Sequence, residues 1–168
     1  MLKTFYPDRI ENSTYDIDFE KLYKKGYRGV IFDIDNTLVE HGKDADERAE
    51  ALFQKLKAMG MKSCLLSNNK EERVKRFNKN IHTHYIYDAH KPSRKNYMRA
   101  MKLMDTSLQS TIFVGDQLFT DVWGAKRCGM ANILVRPIDK HEEIQIVLKR
   151  YLEAVVLYFY KKEQKKGK

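Results

Sequence analysis

The sequence predicts an α/β fold, a three-layer sandwich around a mainly parallel sheet of five strands, and three observations carry that expectation. Short apolar runs rich in β-branched residues alternate with stretches of helical period, the pattern of successive strand–helix–strand units. The chain has 168 residues, 42% of them hydrophobic and only three of them proline, enough for one core and one domain. Polar residues gather at the carboxyl ends of the apolar runs, where ligand chemistry collects in open parallel sheets.

Val30 to Asp33 is the first expected strand, short, apolar and preceded by Gly26 and Gly29. From Asp44 to Met59 the residues Ala49, Leu52, Phe53, Leu56 and Met59 recur at helical spacing, with acids in the first turn and Gly60 as a stop. Met61 to Leu66 reads as the second strand, Lys70 to Lys79 as a short basic helix, and Tyr85 to Tyr87 as the third strand. Ser93 caps a helix to about Met104, Thr111 to Val114 is the fourth strand, a helix runs to Cys128, and Ala131 to Val135 is the fifth strand. No internal repeat is present.

Composition narrows the function classes. Cys64 and Cys128 stand alone, with no zinc-ligand spacing, which suits reduced thiols in a cytosol-like compartment. The first residues lack a long apolar run, so no signal peptide is expected. A cysteine phosphatase needs an arginine six residues after its nucleophile, but Lys70 and Leu134 occupy those places. Neither a Gly-x-x-x-x-Gly-Lys loop nor a Gly-x-Gly-x-x-Gly turn is present, which removes kinase-like and dehydrogenase readings. His82, His84 and His90 cluster near the third strand and read as solvated loop residues.

The chemistry gathers at four strand ends. Asp33-Ile34-Asp35-Asn36-Thr37-Leu38 leaves the first strand, and because alternate strand residues share a face, Asp33 and Asp35 are expected to address one small volume. The second strand ends in Ser67-Asn68-Asn69, Lys91-Pro92 follows the third, and the fourth ends in Gly115-Asp116 with Asp121 close behind. Taken singly, each is also a common structural device: a turn, a helix cap, a solvated lysine. Taken together in this order, they point to phosphate chemistry.

This order, Asp-x-Asp-x-Thr, then Ser, then Lys-Pro, then Gly-Asp-x-x-x-x-Asp, resembles the haloacid dehalogenase superfamily of aspartate-nucleophile phosphatases, over roughly Val30 to Val135. The resemblance implies a Rossmann-like sandwich. It also implies that Asp33 is the nucleophile, Asp35 the acid–base group and Lys91 a third catalytic group. Thr37, Ser67 and Asn68 are then substrate-binding, and Mg²⁺ is held by Asp33, Asp35 (through its carbonyl), Asp116 and Asp121. A carboxylate that attacks phosphorus splits one hard displacement into two easier ones. Cationic and hydroxyl donors neutralise the equatorial oxygens, and hard oxygen ligands suit Mg²⁺. Two nearby carboxylates are expected to have their pKa values pushed apart.

Many members carry an inserted cap over the site. Thirty residues from Thr37 to Ser67 and 24 from Ser67 to Lys91 leave no room for one, so a cap-less (type III) open site is expected. The strings around Asp33, Ser67, Lys91 and Asp116 to Asp121 together resemble the YqeG family, whose relatives are phosphatidylglycerophosphate phosphatases of phospholipid (phosphatidylglycerol and cardiolipin) synthesis. The implied substrate is a lipid head-group phosphate. Residues 1–25 then form an N-terminal extension, 26–140 the haloacid dehalogenase-like catalytic domain, and 141–168 a C-terminal helix and basic tail, one domain overall.

Net charge is +9, and from Lys149 to Lys168 seven basic residues face two acidic ones, so the tail holds over half the excess. Ile144, Val147/Leu148, Tyr151, Val155 and Tyr158 recur at helical spacing before the lysines. Two readings stand: a helix packed on the sheet with a frayed basic end, or peripheral contact with an anionic membrane. The expected location is cytoplasmic, with the inner membrane face as the place of contact. Alternatives are a soluble, nucleotide or nucleic-acid phosphatase, which a basic chain with an open site also suits, and a non-catalytic binding protein of the same fold.

Overall fold

A computed structural model of the chain describes residues 1–139 and 144–167, and it sets six parallel strands in one sheet rather than the five expected. The strands are β1 (Arg9–Glu11), β2 (Gly29–Phe32), β3 (Lys62–Leu66), β4 (His84–Ile86), β5 (Thr111–Gly115) and β6 (Ala131–Val135), in the spatial order β1-β6-β5-β2-β3-β4. The helices are α1 (Phe19–Lys24), α2 (Glu47–Ala58), α3 (Glu71–Asn78), α4 (Arg94–Met104), α5 (Trp123–Cys128) and α6 (Ile144–Lys166). A wide π turn, Leu118–Val122, leads into α5.

The unexpected strand is β1. Arg9-Ile10-Glu11 is three residues long with a single apolar side chain, so it carries no alternation to read. It pairs with β6 at the sheet edge (Arg9 opposite Ile133), and Asp8 fixes the register by accepting from Asn132 N at 3.1 Å and Nδ2 at 2.9 Å. Farther along, Thr14 Oγ1 donates to Thr37 O (2.7 Å) and Tyr15 OH to Leu38 O (2.6 Å). Residues 1–25 thus pin the loop that follows β2.

β2 is central and buried at every position. Its residues divide between two cores as the pleat requires: Val30 and Phe32 pack with Phe19, Leu22, Leu52, Phe53 and Leu56 on one face. Ile31 joins Phe113, Tyr97, Ala100 and Met104 on the other. The parallel register of β2 with β3 and β5 brings the ends carrying Asp33, Ser67 and Asp116 to one edge of the sheet. The intervals after Thr37 and after Ser67 are filled by α2 with β3 and by α3 with β4, and no inserted domain stands between them.

The C-terminal helix forms, with its apolar stripe turned outward. Leu148, Tyr151, Val155 and Tyr158 point to solvent, while Glu153 and Val156 are buried against the body and Arg150 reaches the site. The helix is regular to Lys166; Lys168 and residues 140–143 lie outside the described residues.

Candidate active site

β2 ends at Phe32, and Asp33 emerges where the sheet edge opens, its backbone N–H still tied to Val114 O at 3.0 Å. Lys91 Nζ lies 2.7 Å from Asp33 Oδ1 and 2.7 Å from Asp121 Oδ1, so one buried ammonium bridges two buried carboxylates. Asp116, at the end of β5, faces them. Oxygens of Asp33, Asp116 and Asp121 come within 4.8 Å of one another. Thr37 Oγ1 stands 3.1 Å from Asp116 Oδ1 and 3.5 Å from Asp33 Oδ2, so its single proton serves one carboxylate at a time.

Asp121 is held in the π turn. Its Oδ2 accepts from Asp116 N (3.1 Å) and Gln117 N (3.0 Å), folding the turn back over β5. Gly115 makes this approach available: a Cβ there would meet the Asp121 carboxyl at 2.5 Å.

Asp35 sits apart. Its carboxylate accepts from Gly42 N (2.7 Å), Arg73 Nη2 (2.9 Å) and Asn69 Nδ2, with His41 Nδ1 at 4.0 Å. It is outside the three-acid group, because strand alternation stops at Phe32 and Asn36 adopts a left-handed φ of 60°. Asp33 and Asp35 nonetheless line the same cleft, of ≈ 230 Å³, together with Ser67, Asn68 and Lys91. That is smaller than a pocket enclosing a whole metabolite, usually at least about 300 Å³, and suits one phosphate end of a larger molecule.

Ser67 Oγ caps Asn69 N at 3.1 Å. Asn68 locks the lysine segment, accepting from Lys91 N at 2.8 Å and donating to Lys91 O at 3.4 Å, ahead of the cis Lys91–Pro92 bond. Sequence reasoning missed Asn69 and Arg73, which cradle Asp35, and missed Arg150 and Glu153 of α6. Arg150 pairs with the Asp116 carboxylate, donates to Asp116 O (2.7 Å) and to Glu153 Oε2 (3.0 Å), and Glu153 accepts from Leu118 N (2.9 Å). A sequence separation of 34 residues between Arg150 and Asp116 offered no pattern to read.

Electrostatics sets the cluster apart from the rest of the surface. Burial pushes the Asp33 carboxyl well above its usual range; Lys91 opposes this, and Asp121 and Asp116 add to it. Asp116 is pushed up to about 6 by burial and Asp121, against the pull of Arg150. Burial would lower the Lys91 pKa, but Asp121 and Asp33 outweigh it and hold the ammonium charged. Burial also raises Glu153. Among the described residues, four carboxyl groups (Asp33, Asp116, Asp121, Glu153) thus meet two cations (Lys91, Arg150). Acids outnumber cations in this set, and hard, closely set oxygens fit a divalent cation.

A central-strand carboxylate ringed by a lysine and by acids from neighbouring strand ends defines the class of haloacid dehalogenase-like hydrolases. The HAD-hydrolase-like family model matches residues 88–145. Probable phosphatase YqeG of Bacillus subtilis is 36% identical over 165 residues, 97% of this chain and 96% of that one. The chain belongs to this family of haloacid dehalogenase-type phosphatases. Phosphatidylglycerophosphate phosphatase 1 (chloroplastic/mitochondrial) of Arabidopsis thaliana is 28% identical over 161 residues, 90% of this chain but 46% of that protein. Among solved structures, a cobalt-bound deoxy-D-mannose-octulosonate 8-phosphate phosphatase from Haemophilus influenzae matches with a TM-score of 0.54 at 18% identity, covering 67% of this chain and 70% of that one, a likeness of fold.

Proposed function

We propose that this phosphatase hydrolyses its ester through an aspartyl phosphate on Asp33, with Mg²⁺ as cofactor, and that its substrate is phosphatidylglycerophosphate. The observation that carries the chemistry is the buried Asp33 carboxylate at the floor of an open cleft, 2.7 Å from Lys91 Nζ. A carboxylate oxygen of Asp33 attacks phosphorus, the bond from phosphorus to the ester oxygen breaks, and Asp35 gives the leaving alkoxide a proton. Asp35 then takes a proton from water as that water attacks phosphorus, and inorganic phosphate leaves with Asp33 restored. Lys91, Ser67, Thr37 and Asn68 are the donors and positioning groups for the phosphoryl oxygens.

Asp33, Asp116 and the Asp35 carbonyl hold Mg²⁺ in this reading. Asp121, whose oxygens are already engaged by two backbone N–H groups and Lys91, positions that set from behind. When bound, the ion neutralises charge on the transferring phosphoryl group. The Arabidopsis relative's name and a cleft sized for a phosphate end support the lipid substrate.

The test is a substrate panel with purified full-length chain and Mg²⁺: phosphatidylglycerophosphate in mixed micelles, soluble sugar and glycerol phosphates, nucleoside monophosphates and phosphorylated oligonucleotides. A kcat/KM highest on the lipid supports the assignment. No phosphate from the lipid alongside good turnover of any soluble class overturns it.

A further inference from the structure

α6 has two faces of opposite character to what its location suggests. Toward the body it turns Arg150, Glu153, Val156 and Tyr160, the last in edge contact with Tyr6 at 5.3 Å. Away from the body it turns Leu148, Tyr151, Leu152, Val155, Tyr158 and Phe159, each between 40% and 70% exposed. At about 100° per residue these six fall within an arc of about 120°, one continuous stripe running over three turns. Nothing among the described residues covers it. Large apolar side chains scattered singly on a surface are ordinary, but six aligned ones mark a contact surface.

The charges around the stripe select its partner. Followed toward the C-terminus, the same arc passes into Lys162 and Lys166, with Lys165 beside them. Of the two acids of this helix, Glu153 is buried on the body side, and Glu163, at the border of the stripe, is offset by its pair with Lys3 at 3.3 Å. A second copy docked in parallel would set lysine cluster against lysine cluster, whereas an anionic lipid surface meets the lysines with phosphates and the stripe with acyl chains. Tyr151 and Tyr158 suit the boundary between the two layers. No helix among the described residues is long and apolar enough to cross a membrane, which leaves a helix lying in the plane. Ile146 and Lys149, on the opposite side of the same helix, line the cleft that holds Asp33, so a helix seated on lipid keeps the site about one helix diameter, ~10 Å, from the surface.

We infer that α6 is an interfacial helix that docks the enzyme on anionic membranes through the Leu148–Phe159 stripe and the lysines beyond it. This goes beyond the substrate reading and does not depend on which ester is hydrolysed, because docking is read without turnover.

The experiment is flotation of the full chain with phosphatidylcholine vesicles, with and without phosphatidylglycerol, at low and high salt. The expected result is binding to the anionic vesicles alone, weakened by salt. In the paired variant Leu152→Glu/Val155→Glu, binding falls at least about tenfold, since two apolar contacts are replaced by charges that anionic lipid repels. Its hydrolysis of a soluble ester such as p-nitrophenyl phosphate stays at the wild-type rate. Should that variant fail to fold, Val155→Trp serves: its added fluorescence shifts to the blue on anionic vesicles if the stripe enters lipid. Absence of vesicle binding by the wild type, unchanged binding by the paired variant, or no blue shift overturns the inference. So does a wild-type dimer in light scattering that the paired variant breaks, which would assign the stripe to a second copy.

Discussion

Asp33 and Asp35 are two residues apart and live in different electrostatic worlds. Asp33 is buried among other acids, with one shared ammonium, and its carboxyl is pushed strongly toward the neutral form. Asp35 rests in a cradle of a guanidinium, an amide and a backbone N–H, each aimed at it alone. The lesson is that spacing in sequence placed both acids at one cleft, while the groups around each decide what it can do there. A carboxylate short of cations calls for a metal and a phosphoryl group. One fixed in a donor cradle keeps its orientation through a catalytic cycle.

The two acids can be perturbed separately, and the largest effect is expected at Asp33. Asp33→Asn should lower kcat by at least about a thousandfold, as removal of a nucleophile does. The metal-free protein should keep or gain melting temperature, because an amide carries no charge to bury; a lower melting temperature would contradict that. Lys91→Met comes next. It leaves Asp33 and Asp121 without their cation, and breaking a buried pair this way costs about 3–5 kcal/mol in chemical denaturation, with activity lost as well.

Arg150→Met should lower stability, by less than Lys91→Met because Arg150 is partly exposed, and weaken Mg²⁺ affinity by about 10–100-fold, as the loss of a group that orients a ligand does, with the KM for a soluble ester little changed at saturating Mg²⁺. Arg73→Met acts on the other acid: kcat should fall about tenfold with Mg²⁺ affinity intact, the counterpart that separates the two environments. The smallest effect is on pH dependence. Asp116 has its carboxyl pushed up to about 6 from 3.8, so between those values the folded chain binds more protons than the unfolded one. The contribution of this group to metal-free stability is therefore full below that range and is lost as pH rises through 6. Thermal melts across pH 4–8 read this directly, and a rise over the same interval would contradict it.

The strand ends were legible because each is a local signal: an apolar run, then a polar residue where the backbone leaves the sheet. Asp33, Ser67, Lys91 and Asp116 are brought together by parallel register, which alternating strands and helices already imply. β1 was not legible, since Arg9 and Glu11 have no strand signature and only pairing with β6 makes them one. The partners of Asp35 and Asp116 were hidden for a related reason: Arg73 and Arg150 look like any other basic residue until tertiary packing buries them beside an acid. The direction of α6 was likewise hidden. Periodicity reported an apolar stripe, and the ion pair of Arg150 with Asp116 decided that the stripe faces outward.

The central claim, a covalent phosphoryl group on Asp33, is tested most directly by quenching the enzyme during turnover, reducing any acyl phosphate with borohydride and reading the peptides by mass spectrometry. Residue 33 is expected to be converted to homoserine in the wild type, dependent on substrate, and not in Asp33→Asn. Reduction at Asp35 or Asp116 instead, or continued turnover with no modified carboxylate at all, would contradict it.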